Sequence, residues 1–292
     1  MRIAVLGATG KTGRYLVSRL CQDGHAVVAL SRKIARLDAV DACATRRQAD
    51  ILDRATILPA LSDAECVVSL AHASLTEPLL AALPPHCRWV VLTGSVRRST
   101  VLPDAAAEAV RRGEAAFRAW VAAGGRGVML HPSMIFGAPD DRNVGRLLRF
   151  MRRWPRVLPL VVPLPGGGRH TVQPVYFEDL VAAFAAAVTP ARLLPLDIEI
   201  VGPEPMQYRD MVRATPEALG RRAWIVAVPL PLLSAAAGVA AAIGLKVPFS
   251  AAELRRGTED KRFAVEPMQT LLGVRPRAFD AGVREKVARG WF

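Results

Sequence analysis

Three glycines at fixed spacing, Gly7, Gly10 and Gly13, are the residues of this chain best suited by type and position to chemistry. In GATGKTG, Gly7 permits a sharp exit from a strand, Gly10 lets backbone N–H groups come close to a pyrophosphate, and Gly13 lets a helix lie close to a sheet. A helix opening here turns the positive end of its dipole toward phosphate, with Ala8, Thr9, Lys11 and Thr12 completing the cradle. A second group, Ser31-Arg32-Lys33, falls at the tip of the next predicted strand. An acid there would bond the ribose 2′-hydroxyl of NAD, whereas a base suits the 2′-phosphate of NADP. The expected cofactor is therefore NADP(H), with NAD(H) as the alternative. His72 offers an imidazole fit for acid–base work or for a wall of the cofactor groove.

An alternation of strand and helix patterns must position these groups. Ile3 to Leu6 is an apolar run suited to a strand buried on both faces, and a helix pattern opens at Tyr15 and ends near Gly24. Further strands are read at His25–Leu30, weakly at Ala42–Gln48, and at Cys66–Ala71, Arg88–Leu92 and Gly127–Leu130. Helices are read at Arg54–Leu61, capped by Asp53, and at Asp104–Ala123. This succession predicts an α/β protein: a Rossmann-type doubly wound parallel sheet with helices on both faces and a smaller C-terminal α+β domain for substrate or partner. Residues 1–155 with about 171–188 are assigned to the nucleotide-binding domain, and 156–170 with 189–292 to the smaller one. Asn143–Trp154 reads as an amphipathic basic helix with Val144, Leu147, Leu148 and Met151 inward. Leu232–Leu245 reads as an apolar helix shorter than the roughly 20 residues a membrane span needs.

The net charge of +13 rests almost wholly on arginine, dispersed apart from pairs such as Arg152-Arg153 and Arg221-Arg222. Solvated basic faces are the expected use, with contact to a protein partner or a membrane surface as the alternative. No zinc finger, RNA-recognition aromatic motif or unbroken basic block is present, which argues against nucleic acid. The cysteines, Cys21, Cys43, Cys66 and Cys87, show no C-x-x-C or His/Cys ligand spacing. Thiols rather than disulfides are expected, and no metal. No signal-peptide pattern precedes the first strand, so a cytoplasmic location is expected, with attachment to the inner face of a membrane as a variant.

The spacing G-x-x-G-x-x-G and the wording GATGKTG resemble the short-chain dehydrogenase/reductase superfamily, in particular its extended and atypical branches, which include NAD-dependent epimerase/dehydratase-like and NmrA-like proteins. The SRK tip, DILD, LTGS, the Gly113-Glu114 helix, HPSMIFG, QPVYFEDL and VPLPLL carry the resemblance over nearly the whole chain. That combination is similar to the atypical members grouped with the NADPH-binding accessory subunit of mitochondrial complex I and its bacterial relatives. By position, the resemblance implies Asp50 and Ile51 beside the adenine, Leu70, Ala71 and His72 along the ribose, and Pro132 and Ser133 by the nicotinamide. It also implies that Ser95 or Thr93 polarises a substrate oxygen. His131 stands where relatives carry arginine, and Ser95, His72 and His131 are the candidate catalytic residues.

One departure governs the functional expectation. Active relatives place Y-x-x-x-K on the helix that here spans Asp104–Ala123, and the Gly113-Glu114 continuation puts Ala106 in the tyrosine slot and Val110 in the lysine slot. The tyrosines of the chain, Tyr15, Tyr176 and Tyr208, are followed four residues on by Arg19, Leu180 and Val212. A positioned acid/base group contributes on the order of 100- to 10,000-fold in rate. The resemblance therefore implies an NAD(P)(H)-binding protein whose cofactor is structural or regulatory. The alternative is an NADPH-dependent oxidoreductase or an isomerase/epimerase with a non-standard proton donor. No cluster in the C-terminal part names a substrate.

Overall fold

The computed structural model describes residues 1–139, 141, 143–189, 193–242 and 259–291. Continuous apolar runs, buried on both faces, make most strands of the main sheet, and helices separate them. Along the chain come β1 (Arg2–Leu6), α1 (Lys11–Gln22), β2 (Ala26–Ser31), β3 (Thr45–Gln48), α2 (Arg54–Leu61), β4 (Cys66–Ser69), α3 (Thr76–Leu80), β5 (Trp89–Thr93), α4 (Ala105–Ala122) and β6 (Gly127–Pro132). Then follow β7 (Ile135–Phe136), α5 (Val144–Arg153), β8 (Leu160–Pro165), β9 (Thr171–Val172), β10 (Val175–Tyr176), α6 (Phe177–Val188), β11 (Asp197–Ile200), β12 (Met206–Gln207), α7 (Tyr208–Glu217), β13 (Ala223–Val228) and α8 (Leu230–Ala242). Two short helices, α9 (Glu266–Leu271) and α10 (Phe279–Ala288), complete the described elements.

The chain divides into two compact units. The first holds Met1–Ser133, Phe177–Ile200 and Val265–Arg275. Its centre is a seven-stranded sheet in the order β11-β6-β5-β4-β1-β2-β3, every neighbouring pair parallel. Ala4 and Leu6 of β1 join Val28, Val67, Val90, Leu92 and Phe117 in one core. Ile3 and Val5, which point to the opposite face, are equally buried, so the sheet is covered on both sides. Helix α1 lies against α6, where the Tyr15 and Phe177 rings meet edge-on at 4.9 Å, and α4 lies against α3. Asp53 caps α2 as expected, its side chain accepting the Ala55 N–H.

The boundaries between the units differ from those expected. Asp197–Ile200 was assigned to the smaller domain, yet it forms the edge strand of the main sheet, with Ile198 beside Leu130 and Ile200 beside Pro132. Residues 134–155 and 171–176, assigned to the nucleotide-binding domain, belong to the second unit. The reason is local pairing: β7 bonds to β10 and β9 to β12, so these segments close on one another. The inward stripe of α5 is as read, with Val144, Leu147, Leu148 and Met151 buried. The apolar helix read at Leu232–Leu245 is α8, and residues 243–245 lie outside the described residues, as does Phe292.

Cysteine pairing is a second correction. Cys21 and Cys43 form a disulfide, their Cα atoms 6.3 Å apart. The turn at 41–44 docks on α1 through a hydrogen bond between Asp41 and Ser18, which sets Cys43 beside the last turn of that helix. Spacing along the chain could not show this contact. Cys66 and Cys87 are thiols, and burial pushes the Cys66 thiol far above its ordinary range, which leaves it inert.

Within the second unit a buried ion pair holds the loop that follows β7. Asp141 accepts N–H groups from Gly137 (3.1 Å), Asn143 (2.8 Å) and Gly145 (2.9 Å), and the wholly buried Lys286 of α10 stands 3.4 Å from its carboxylate. Lys286 also donates to the Ala138 carbonyl. Removing one partner of such a pair leaves a charge in the interior uncompensated. Lys286→Met should lower the unfolding free energy by about 3–5 kcal/mol, read by urea denaturation; a loss below about 1 kcal/mol would show that the pair does not hold the loop.

Candidate cofactor site

The site is built at the carboxyl ends of the parallel strands, where the strand order reverses. β2 and β3 extend the sheet to one side of β1, and β4, β5 and β6 extend it to the other. Crossovers from β1 and β4 run in opposite directions and leave a crevice at that switch point.

Gly7 ends β1 with φ at 79°, a conformation that side chains disfavour, and its carbonyl accepts the Gly10 N–H at 2.9 Å. Helix α1 begins at Lys11, earlier than the apolar pattern from Tyr15 indicated, so Gly13 sits in the first turn. A Cβ on Gly13 would stand 2.2 Å from the Gly7 carbonyl oxygen and 2.8 Å from the Ala8 Cα. Only glycine lets the helix approach the strand exit this closely. A Cβ on Gly10 would meet a single protein atom within 4 Å, the Gly7 oxygen at 3.1 Å, so the side away from the strand is open to close approach. No side chain caps α1 and no acid occupies its first turn, which leaves its first N–H groups to an anion. The Nε of Arg14 is buried without a partner. Open amides and a cradle that a side chain would crowd fit the pyrophosphate of a dinucleotide.

The rim of the crevice is made by the neighbouring strand ends. Ser31 is the last residue of β2; its Oγ accepts the Lys33 N–H at 3.3 Å, and Gln48 bonds the Arg32 carbonyl. Arg32 and Lys33 are exposed, and neither side chain has an ion-pair partner among the described residues. Asp50 folds its carboxylate back on the Leu52 N–H, and its own N–H bonds Thr56. Asp50 and Ile51 are half-buried beyond β3. Leu70, at the exit of β4, abuts the glycine turn: a Cβ on Gly7 would touch its side chain at 3.2 Å. Ala71 follows half-buried, and Thr93 at the end of β5 donates to the Ser69 carbonyl at 2.8 Å, tying adjacent strand tips together. Pro132 ends β6, and the Ser133 N–H bonds Ile200 at 3.0 Å.

The candidate catalytic groups are placed less favourably. Ser95 is half-buried and its Oγ accepts the Arg97 N–H, capping a short 3₁₀ turn. His72 is exposed, with Nδ1 turned to the amide and hydroxyl of Ser74. His131 is wholly buried. Its Nδ1 accepts the Ser95 N–H at 3.1 Å, which puts the ring proton on Nε2. The ring lies so close to the backbone that a Cβ on Gly94 would stand 2.3 Å from Nδ1. Glu114, His131 and Asp197 bring possible ligand atoms within 4.8 Å of one another. Both carboxylates, however, are already held by guanidinium groups. Arg98 reaches Glu114 (2.7 Å) and Glu199 (2.6 Å), and Arg118 reaches Glu114 (2.9 Å) and Asp197. A divalent ion would have to displace them. Burial first, and then the Arg98 charge, lower the His131 pKa and keep the ring neutral.

Two residues of this region escaped the reading of the sequence. Arg14 directly follows the third glycine, a position visible in GATGKTGR, but the enclosure of its Nε is a product of packing. Arg98 forms the centre of an ion-pair cluster whose members come from α4 and β11, far apart in sequence.

The fold and the glycine turn together are those of a Rossmann-type doubly wound sheet. Residues 7–112 match the family model described as NAD(P)H-binding. Over its length the chain is similar to UDP-glucuronic acid 4-epimerase from Bacillus cereus solved with NAD, at 17% identity and TM-score 0.74, covering 100% of both chains. It is similar to the NADPH-dependent quinone oxidoreductase QOR2 of Escherichia coli solved with NADPH, at 17% identity and TM-score 0.74, covering 97% of this chain and 99% of that one. UDP-glucose 4-epimerase from Thermotoga maritima is also similar, at 14% identity and TM-score 0.72, covering 99% of each. At such identities the likeness is one of fold. No curated protein sequence matched the chain.

Two outcomes are expected from this geometry. Gly13→Ala forces the Gly7 carbonyl and α1 apart and should cost about 1–3 kcal/mol of stability together with nucleotide binding, seen by thermal melts with and without NADPH. His131 contributes a pH dependence of definite sign. Its folded pKa is lowered, so the unfolded chain takes up the proton first and stability falls as pH drops through the ordinary histidine range near 6.5. His131→Asn, which keeps an acceptor for the Ser95 N–H, should flatten the decline below about pH 6.5 in urea titrations.

Proposed function

We propose that the chain binds NADP(H) at the crevice between β1 and β4 and uses the nucleotide to order its own surface for a protein partner, as a structural or regulatory cofactor. The observation that carries this reading is the conjunction of an uncapped α1 N-terminus beside the glycine turn with an unpaired Arg32-Lys33 tip on β2. Two cations at the ribose end favour a 2′-phosphate over a bare hydroxyl. In this reading Gly7 through Gly13 hold the pyrophosphate, Ser31, Arg32 and Lys33 the 2′-phosphate, Asp50 and Ile51 flank the adenine, Leu70, Ala71, His72 and Thr93 line the ribose, and Pro132 and Ser133 face the nicotinamide. Bound, the cofactor would supply hydride chemistry. The resemblance aligns Ala106 and Val110 with the tyrosine and lysine of that chemistry, so in this reading the chain adds no such pair to it.

A second reading is favoured by the full-length likeness to an NADPH-dependent quinone oxidoreductase. Acceptors whose oxygens draw protons from water need no positioned tyrosine, so an NADPH-dependent reductase is compatible with the missing pair; an isomerase or epimerase, which must move protons at carbon or oxygen, is less so. In this reading half-buried Ser95 would be the group that meets a substrate oxygen.

Titration of nucleotide-stripped protein tests the site. NADPH should bind more tightly than NADH, and Arg32→Ala should weaken NADPH by about 10- to 100-fold while leaving NADH nearly unchanged, the loss of one or two charge-assisted hydrogen bonds. Equal failure with both nucleotides overturns the proposal. Steady NADPH oxidation with quinones, reduced by Ser95→Ala, would replace the structural reading with the reductase.

A further inference from the structure

The second unit carries a sheet face that breaks the ordinary rule for a two-stranded ribbon. β8 and β13 run parallel, with Trp224 beside Val161 and Val226 beside Pro163. Leu160, Val162 and Leu164 point inward and are buried, as the alternation requires. The outward set ought to be polar, because it meets water. Instead Val161, Pro163, Trp224 and Val226 are all apolar and exposed, Trp224 at 69%. Val157 and Leu158, just before β8, and Leu232 in α8 are exposed as well. A contiguous apolar face of this kind marks an interaction surface.

Charge identifies the occupant. Arg156, Arg221 and Arg222 line a cleft with Leu158, Pro159 and Trp224, so guanidinium groups border the apolar face. Arg221 is spent on the Met151, Trp154 and Pro155 carbonyls, which fixes the start of β13 to the end of α5. Arg153, Arg156, Arg169 and Arg222 have no carboxylate partner among the described residues. Residues 143–177 and 218–242, the stretches that contain the ribbon, hold no aspartate or glutamate at all. An acidic rim would be expected if the face were to meet a basic partner; this one is uniformly basic.

We propose that the outer face of β8 and β13 docks this protein on an anionic bilayer surface. Trp224 would seat its indole at the headgroup level, Val161, Pro163 and Val226 would enter the acyl boundary, and Arg156 and Arg222 would meet lipid phosphates beside them. An amphipathic indole flanked by aliphatic side chains and arginines suits that interface better than a flat acidic protein surface, which would leave the aliphatic side chains without partners. Attachment is peripheral: among the described residues no helix is long and apolar enough to cross a membrane.

Flotation of the full chain with phosphatidylcholine vesicles, with and without phosphatidylglycerol, at low and high salt, tests this. Binding should require the anionic lipid and weaken with salt. Arg156→Gln and Arg222→Gln should each reduce it about fivefold, the worth of one basic residue near such a surface. Trp224→Ser should reduce it by about tenfold or more, with Trp224→Phe intermediate, while circular dichroism and thermal melts stay unchanged. No binding to anionic vesicles at low salt overturns the proposal, as does binding that these variants do not alter. Sedimentation showing that the protein self-associates and that Trp224→Ser releases monomers would overturn it in favour of a second copy as occupant. Capture by an acidic polymer such as RNA with the same dependence on Trp224, and none by vesicles, would overturn it equally.

Discussion

The approach of α1 to the exit of β1 is the constraint on which the first unit depends. A Cβ at residue 13 would lie 2.2 Å from the Gly7 oxygen, inside any possible contact, so helix and strand meet here only through glycine. That meeting aims the open amides of α1 across the carboxyl edge of the sheet. It also brings Leu70 against Gly7, which places the β4 exit on the other wall of the same crevice. The direction of α1 and the exposure of its first amides thus follow from one steric allowance, at the point where the parallel sheet reverses its winding.

A second close approach shapes the neighbouring region differently. The imidazole of His131 fills the space that a side chain at Gly94 would take, and it holds the Ser95 amide. The histidine is neutral, enclosed and hydrogen-bonded to backbone, a set of properties that serves packing. Around it Arg98 and Arg118 gather three carboxylates from α4 and β11, which joins the edge strand of the sheet to α4. Ion pairs therefore tie this helix to the sheet edge.

The second unit follows a different logic. Its inner packing is ordinary, with α5 buried along one stripe and Lys286 neutralising Asp141 in the interior. Its outer ribbon presents apolar side chains beside unpaired arginines. Water disfavours such a face, and an anionic interface favours it, because the same surface gains both desolvation and charge neutralisation.

Much was legible in the residues themselves. Contiguous apolar runs and a glycine turn determine strands, helices and a tight strand exit through local sterics, and these need only neighbours in sequence: the turn in GATGKTG and the Asp53 cap are both of this kind. What only the tertiary structure decided depends on contacts between distant segments. Cys43 reaches Cys21 because a turn docks on α1, Asp197–Ile200 becomes the seventh strand because β6 has a free edge, and His131 becomes a packed core residue because Gly94 leaves room for its ring. Trp224 reads as an ordinary apolar residue of a strand until β8 supplies the partner that gives the ribbon two faces. Side-chain type records what a residue can do, and the fold decides which of those capacities is exposed, paired or closed off.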